Sequence, residues 1–557
     1  MLNNKSKHST IIEAFEFIEN QKPESICFTF GSEEITYAQL GAAIRKLAIA
    51  LSVHDLKSKT VLIVNKTSFE FIVQFMACVY VGAIPIPSYH PDETSLFLKR
   101  FLVIMEKGSF NHILTNEENK LIISSILADN LTSTLVWLTT ETMKNIEGEK
   151  PEPDCSEIAF IQFSSGSTGD PKGVAVTHTN LLFCVEKLAS VLMLYDIIDD
   201  DFWGLNWLPL YHDMGLVGAF LLPLLVGFPM AMMLTKTFMQ NPYAWLEELS
   251  RTKAKITLAP NFAYDRCVDA MVDVQDVRID LSNLRVAFNG GEHVSYDTIA
   301  RFTNCFQSLG FIPEAMCPAY GLAEATLIVT SNGPEGPKVL RVDQELYSKM
   351  IIREVSDASK AINLVSSGHL LLGINVVIVN PGDRTPCEDM QVGEIMVSAN
   401  SVTSGYYGIK DSSDNFRVQI PGYEETFLQT GDLGFIKEGH LFITGRLKDL
   451  IIINGRNIDP QTVEEIVTSV DEQLSHVFNA VFSVCDHDVD KMVLVQELPN
   501  SIRGDDLKGR IHSRIEESLD LHFFDMVFVH VGAIIKTSIG KVSRKECKNM
   551  YLSGNWA

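Results

Sequence analysis

Short apolar runs alternate with amphipathic stretches through the first half of the chain, a pattern that predicts layered α/β structure. Thr60–Val64 reads TVLIV and predicts a strand, and Phe69–Val81 predicts the helix after it. Ile158–Phe163, Gly204–Leu208, Lys255–Leu258, Leu284–Phe288 and Glu314–Met316 predict further strands, most of them followed by helical patterns. In open α/β sheets ligands sit beyond the carboxyl ends of strands, and the glycine-rich and polar clusters of this chain fall there. Farther on, Val376–Val379, Glu394–Val397 and His440–Ile443 are short runs separated by Gly, Pro, Asn and Asp, which predicts a β-rich subdomain. After Gly445 the pattern changes again. Asp449–Ile453 predicts a strand, Asp459 an N-cap, and Pro460 the first turn of a helix reaching about Val470. Strands at Asn479–Val484, Met492–Gln496 and Met526–Val531, with a charged helix at Asp505–Leu519, complete a separate α+β unit. The junction falls near Lys448.

The uncharged stretch Met214 to Leu234 is long enough to span a bilayer. Pro223, Pro229 and three glycines interrupt it, so a buried helix, turn and strand is the preferred reading. With 557 residues, 46% hydrophobic and 21% charged, the composition is that of a folded globular chain and excludes disorder. Against 46 Lys+Arg stand 70 Asp+Glu, a net charge of −24, which argues against nucleic-acid or membrane-surface binding. Ten scattered cysteines indicate neither a disulfide framework nor a zinc site. The N-terminal residues lack the apolar run of a signal peptide, and a cytoplasmic location is expected.

Ser164-Ser165-Gly166-Ser167-Thr168-Gly169-Asp170-Pro171-Lys172-Gly173 carries the strongest chemical signal and follows a strand ending FIQF. Glycines let the backbone approach a ligand, hydroxyls add donors for phosphate oxygens, and the lysine supplies positive charge. The spacing fits neither a Walker loop nor a dinucleotide-binding turn.

The order of residues in this loop resembles the signature of the adenylate-forming superfamily, which includes acyl-CoA synthetases, peptide-synthetase adenylation domains, luciferases and fatty acyl-AMP ligases. The similarity runs from about Ile35 to about Lys548, with further blocks in the family's order. These are Tyr37–Leu40, Gly82–Pro87, Leu208–Gly215, Asn289–Glu292, Pro318–Glu324, Thr430–Asp432, Gly445–Asp449 and Thr537–Lys541. The resemblance implies an N-terminal adenylation core over residues 1–447, a hinge at Lys448 and a small mobile lid over residues 449–557. It implies ATP and Mg²⁺ as cofactors. Lys541 is then expected to contact the acyl carboxylate and the α-phosphate, and Lys172 to orient the β,γ-phosphates. Thr168 and Glu324 are expected to anchor Mg²⁺. Tyr320 is expected to stack on adenine, with Gly290, Gly291, Glu292, Pro318, Ala319, Gly321 and Leu322 around the nucleotide. Asp432 is expected to accept from the ribose hydroxyls with Arg446 in support, and His212 and Asp213 to line the acyl-carboxylate and ribose region.

Three features are similar to the fatty acyl-AMP ligase subgroup. His212-Asp213-Met214-Gly215 opens the long uncharged run, and an apolar wall suits an acyl chain at about 0.8 kcal/mol per buried methylene. Tyr320–Leu327 (YGLAEATL) is the second feature. The third is a long segment around residues 338–363, which in that subgroup is an insertion that packs on the N-terminal domain and hinders lid rotation. No Phe-Asp-x-Ser block offers an acid to an α-amino group. The expected partners are a fatty acid and a holo acyl carrier protein, or a carrier domain of a polyketide or nonribosomal peptide synthase. The basic cluster Lys536–Lys548 is a candidate contact for an acidic carrier. An acyl-CoA synthetase and a non-catalytic acyl-nucleotide binding protein remain as alternatives. Ile539 departs from the family pattern, in which many relatives carry a small residue.

Overall fold

The computed structural model describes residues 8–91, 97–108, 110–127, 132–144, 146–164, 171–196, 198, 201–271, 277–347, 350–356, 361–409, 412–453, 456–486, 489–499, 501–519, 521–536 and 540–556. It is a layered α/β protein, as the apolar pattern predicts. The strand Thr60–Val64 lies inside a parallel four-stranded sheet, between Ile84–Ser88 and His112–Thr115, with Val136–Thr139 at the far edge. All five of its residues are buried, which is why its sequence runs apolar without alternation.

A second, larger sheet contains the strands that carry the chemistry. Ile26–Phe30, Met230–Met232, Gly204–Asn206, Ile256–Ala259, Val286–Asn289 and Met316–Gly321 lie parallel in that order. Beyond Met316–Gly321 the sheet becomes antiparallel, through Ile328–Ser331, His369–Leu370, His440–Arg446, Thr426–Lys437, Gly393–Ala399 and Ile374–Val379. The β-rich subdomain is therefore an extension of the same sheet, and Met316–Gly321 is the strand at which the direction rule changes.

Three predicted strands are displaced, each for a local reason. Gly204–Leu208 stops at Asn206, whose side chain bonds both the N–H (3.0 Å) and the carbonyl (2.9 Å) of Leu208. Glu314–Met316 is a 3₁₀ turn at Pro313–Ala315, and the strand begins at Met316. Asp449 and Leu450 donate back to the Arg446 carbonyl as a turn, so that strand is confined to Ile451–Ile453. Ile158–Ser164 differs in kind: it pairs antiparallel with Lys172–Thr177, so the Ser/Gly loop joins the arms of a hairpin rather than a strand and a helix.

The Met214–Leu234 stretch forms a π-helix (Met214–Leu221), a short α-helix (Leu222–Val226), a turn and the strand Met230–Met232. Among the described residues no helix is long and apolar enough to cross a membrane.

C-terminal to Lys448, Asn479–Asp486, Val489–Leu498 and Asp525–His530 form a three-stranded sheet covered by helices Pro460–Thr468, Gly504–Leu519 and Arg544–Leu552. The charged helix is held by a stripe four residues apart, Leu507, Ile511, Ile515 and Leu519, all buried. No hydrophobic core cluster among the described residues mixes side chains from both sides of Lys448.

In the 338–363 segment Val339–Asp343 pairs with Ala361–Val365. Its Leu340, Val342 and Tyr347, with Leu364 just beyond it, pack on Phe435 and Phe442 of the large sheet. Tyr347 also faces Asp459, Thr462 and Glu465 on the first helix after the junction, so the segment touches both parts of the chain.

Candidate active site

The carboxyl ends of the parallel strands converge on one cleft. Gly290 follows Val286–Asn289, and the motif Leu208–Gly215 follows Gly204–Asn206. Pro318, Ala319, Tyr320 and Gly321 end the switch strand, with Leu322 and Glu324 in the turn beyond it. Gly290 lies against the Ala319 carbonyl, and Gly291 against the Met214 sulfur, which joins these blocks directly.

His212 Nδ1 lies 2.7 Å from Asp213 Oδ1, and Asp213 caps the π-helix by accepting from the Met214 N–H at 2.7 Å. Burial alone pushes Asp213 up, but His212 and the Met214 N–H outweigh it and hold the carboxyl below the usual range. The motif is tied to the Ser/Gly hairpin because Gln162 donates to the Tyr211 carbonyl at 2.7 Å.

Asp432 is only 3% exposed, so its charge needs partners. Arg446 Nε supplies one at 2.7 Å, from the position directly opposite in the strand ladder. The Tyr320 hydroxyl donates the other, 2.7 Å to Oδ2. Burial, then the neighbouring Asp432, pushes the Tyr320 phenol well up, so it stays a donor. Tyr320 and Asp432 thus form one unit.

Lys541 enters this cleft from the C-terminal unit. Its ammonium is pushed down by burial and by Arg446 and Arg544, while Glu292 and Asp432 oppose that shift. Glu292 accepts from the Phe262 N–H at 2.7 Å; burial pushes its carboxyl up and Lys541 opposes this. Gly540 at φ +88° sits against the Phe262 ring, where a Cβ would lie 2.7 Å from Cζ. Two further contacts cross the junction: His476 Nδ1 to Asp269 Oδ1 at 2.9 Å, and His293 Nε2 to Glu465 Oε1 at 3.4 Å. Arg544, three residues past Lys541, is paired through both ends of its guanidinium with Glu464, which braces the lysine loop on helix Pro460–Thr468.

Glu324 accepts from the Tyr406 hydroxyl at 2.9 Å, and burial pushes its carboxyl up. Lys172 opens the second hairpin strand with its ammonium 4.6 Å from the Tyr406 ring centroid. Ser164 ends the first arm; Ser165, Gly166, Ser167, Thr168 and Gly169 lie outside the described residues, as do Thr537, Ser538 and Ile539. Lys448 is exposed in a turn between Arg446 and Leu450.

The structure therefore brings Lys172, His212, Asp213, Gly290, Gly291, Glu292, Tyr320, Glu324, Asp432, Arg446 and Lys541 around one cleft. Phe262 and Tyr406 belong to it and were not singled out from the sequence. Tyr406 had a signal, a glycine followed by two aromatics after a β-rich run; Phe262 had none beyond its place after a strand.

The sequence pattern of AMP-binding enzymes matches residues 15–407. The chain belongs to the AMP-binding enzyme family. Asp432, Arg446 and Lys541 lie beyond the matched part, but relatives align over the full length. The medium-chain-fatty-acid–[acyl-carrier-protein] ligase JamA of Moorena producens (strain JHB) is 32% identical, across 100% of this chain and 95% of that protein. A solved chain from studies of fatty acyl-adenylate ligases of E. coli and L. pneumophila superposes with a TM-score of 0.86 at 27% identity, over 99% of both chains. A fatty acyl-adenylate ligase from L. pneumophila, solved with acyl adenylate and pyrophosphate, is 31% identical with a TM-score of 0.74, over 98% of this chain and 96% of that one. In this AMP-binding enzyme Tyr320 lies at the end of a parallel strand, Asp432 and Arg446 lie in neighbouring antiparallel strands, and Lys541 comes from the C-terminal unit.

Proposed function

We propose that this enzyme activates a fatty acid with ATP to a fatty acyl-adenylate and pyrophosphate. It then passes the acyl group to the phosphopantetheine thiol of an acyl carrier protein, or of a carrier domain in a polyketide or nonribosomal peptide synthase. The observation that carries this reading is Lys541, an ammonium from the end of the chain standing among Glu292, Asp432 and Arg446. A carboxylate oxygen attacks the α-phosphorus, an O–P bond forms, and the bond to the β-phosphate oxygen breaks as pyrophosphate leaves. Two anions must meet for that, and Lys541 neutralises both while the cleft holds them in line.

Tyr320 offers its ring face to adenine, and Asp432, held by Arg446 and Tyr320, accepts from the ribose. Lys172 meets the outer phosphates. Thr168 and Glu324 would hold Mg²⁺: Glu324 Oε1 takes the Tyr406 hydroxyl, and beyond Glu324 itself no described residue donates to Oε2, which leaves an oxygen ligand for a hard cation. When bound, the ion supplies charge neutralisation at the phosphate oxygens.

The uncharged stretch suits an acyl chain in composition, and in this structure its first helix is packed into the core. Leu216, Val217, Ala219, Phe220 and Leu221 of the π-helix are all buried, directly after His212 and Asp213. The division into a core to residue 447, a hinge at Lys448 and a lid from residue 449 is supported by the separate hydrophobic clusters. For the carrier, Lys536 sits 3.6 Å over the Phe478 ring and Arg544 is paired with Glu464, which leaves Lys545 and Lys548 on the terminal helix to meet acidic residues.

Offering fatty acid, ATP and either CoA or a holo acyl carrier protein, with products identified by mass spectrometry, tests this. An acyl-carrier thioester with little acyl-CoA is expected. Abundant acyl-CoA would remove the carrier assignment, and absence of acid-dependent pyrophosphate exchange would remove the activation step.

A further inference from the structure

Glu324 is followed by an unusual piece of backbone. Thr326, a buried β-branched residue, sits at φ 69°, ψ −54°, and the Leu327 N–H donates to the Ala325 carbonyl at 2.8 Å. That is a γ-turn of the strained, positive-φ form, which persists only where its surroundings enforce it. One segment supplies the enforcement. The Thr326 hydroxyl donates to the Ser401 carbonyl at 2.6 Å, and the Thr403 N–H donates to the Glu324 carbonyl at 2.9 Å. On the other side Gly321 makes room, since a Cβ there would fall 1.7 Å from the Leu327 carbonyl oxygen.

The same segment reaches the side chains. Tyr406 donates to Glu324 Oε1 at 2.9 Å, and its ring lies beneath the Lys172 ammonium. Its backbone is fixed to the Ser/Gly hairpin: Tyr406 bridges Val174, and the Tyr407 N–H donates to the Gly173 carbonyl at 2.7 Å. Residues 401–407 therefore touch the acidic and the basic ends of the phosphate region and the strained turn between them.

We propose that residues 401–407 are a strap that aims Glu324 at a divalent cation, and that Tyr406 is its positioning residue, setting the Glu324 carboxylate relative to Lys172. The proposal rests on the reading of Glu324 as a metal ligand. A hydrogen bond to a ligating carboxylate orients it, and losing such a partner costs about 10–100-fold in metal affinity.

The test uses the full-length enzyme with a non-hydrolysable α,β-methylene ATP analogue and Mn²⁺ as the probe, free Mn²⁺ being read by electron paramagnetic resonance. Tyr406→Phe removes the hydroxyl and keeps the ring. The Mn²⁺ dissociation constant should rise about 10–100-fold while affinity for the analogue without metal stays within about twofold. Glu324→Gln should raise it at least as much. Unchanged Mn²⁺ affinity in Tyr406→Phe beside a large loss in Glu324→Gln overturns the strap. An equal loss of metal and metal-free analogue binding overturns it too, since that is general damage. Unchanged Mn²⁺ affinity in Glu324→Gln overturns the metal reading itself, whatever Tyr406→Phe does.

Discussion

Replacing Gly540 with Ala should separate the two half-reactions of this enzyme. Gly540 lies at φ +88°, and a methyl group there would sit 2.7 Å from Phe262 Cζ. An L-residue in that backbone region costs about 1–2 kcal/mol. Overpacking against a held side chain costs about 1–3 kcal/mol more. Phe262 is held, because its N–H donates to Glu292 and its ring packs edge-on against Trp207 and Phe238. The lower ends sum to about 2 kcal/mol, a loss of about 30-fold in the population that has Lys541 in the cleft. Acid-dependent exchange of labelled pyrophosphate into ATP should fall by at least that factor, toward the level of Lys541→Ala, where losing such a donor costs about 10²–10³. On the proposed mechanism, transfer from pre-formed acyl-adenylate to a carrier thiol brings no ATP to the site for Lys541 to neutralise, and it should fall much less. Adding Phe262→Ala removes the ring and should restore part of the exchange. Exchange within twofold of wild type in Gly540→Ala would refute the reasoning, and so would a double variant no better than the single one.

Asp432→Asn keeps the size of a buried side chain but removes the charge that Arg446 and Tyr320 share. A charged hydrogen bond is worth about 1.5–3 kcal/mol, so nucleotide affinity by calorimetry should fall about 10–100-fold. Discrimination against 2′-deoxy and 3′-deoxy ATP should vanish with it, and undiminished discrimination would show that another group reads the ribose. Lid docking should depend on pH. Desolvation at the seam, with Asp297 and Glu464 adding like charge and Arg544 opposing, pushes Glu465 up to about 7 although its side chain is 52% exposed, which screens the effect, while burial lowers its neighbour His293 despite Asp459. A carboxyl raised in the docked state favours docking below its ordinary pKa of about 4.3, and that contribution is lost as pH rises through about 7. His293 acts in the opposite sense below its ordinary pKa of about 6.5, so limited proteolysis near exposed Lys448 should quicken from about pH 7 to about pH 8, and Glu465→Gln should flatten that rise. A slope unchanged in the variant would acquit Glu465.

Local pattern by itself determined most elements of this protein and the identity of its chemical groups. TVLIV pointed to a strand, which the structure covers on both faces, and the four-residue spacing of Leu507, Ile511, Ile515 and Leu519 pointed to a helix burying one face. Where the pattern misplaced an end, a side chain or proline competed with the ladder, as at Asn206 and Pro313. Periodicity says which face is covered but not by what, so pairing direction and long-range neighbours were decided by the tertiary structure. Folding alone paired Ile158–Ser164 antiparallel with Lys172–Thr177 and put Tyr320 on Asp432, 112 residues away. It also drew Phe262 and Tyr406 into the cleft and set Lys541 beside Glu292. Those contacts depend on strand order and on how two separately cored units dock, and neither is encoded within the span of a single helix or strand.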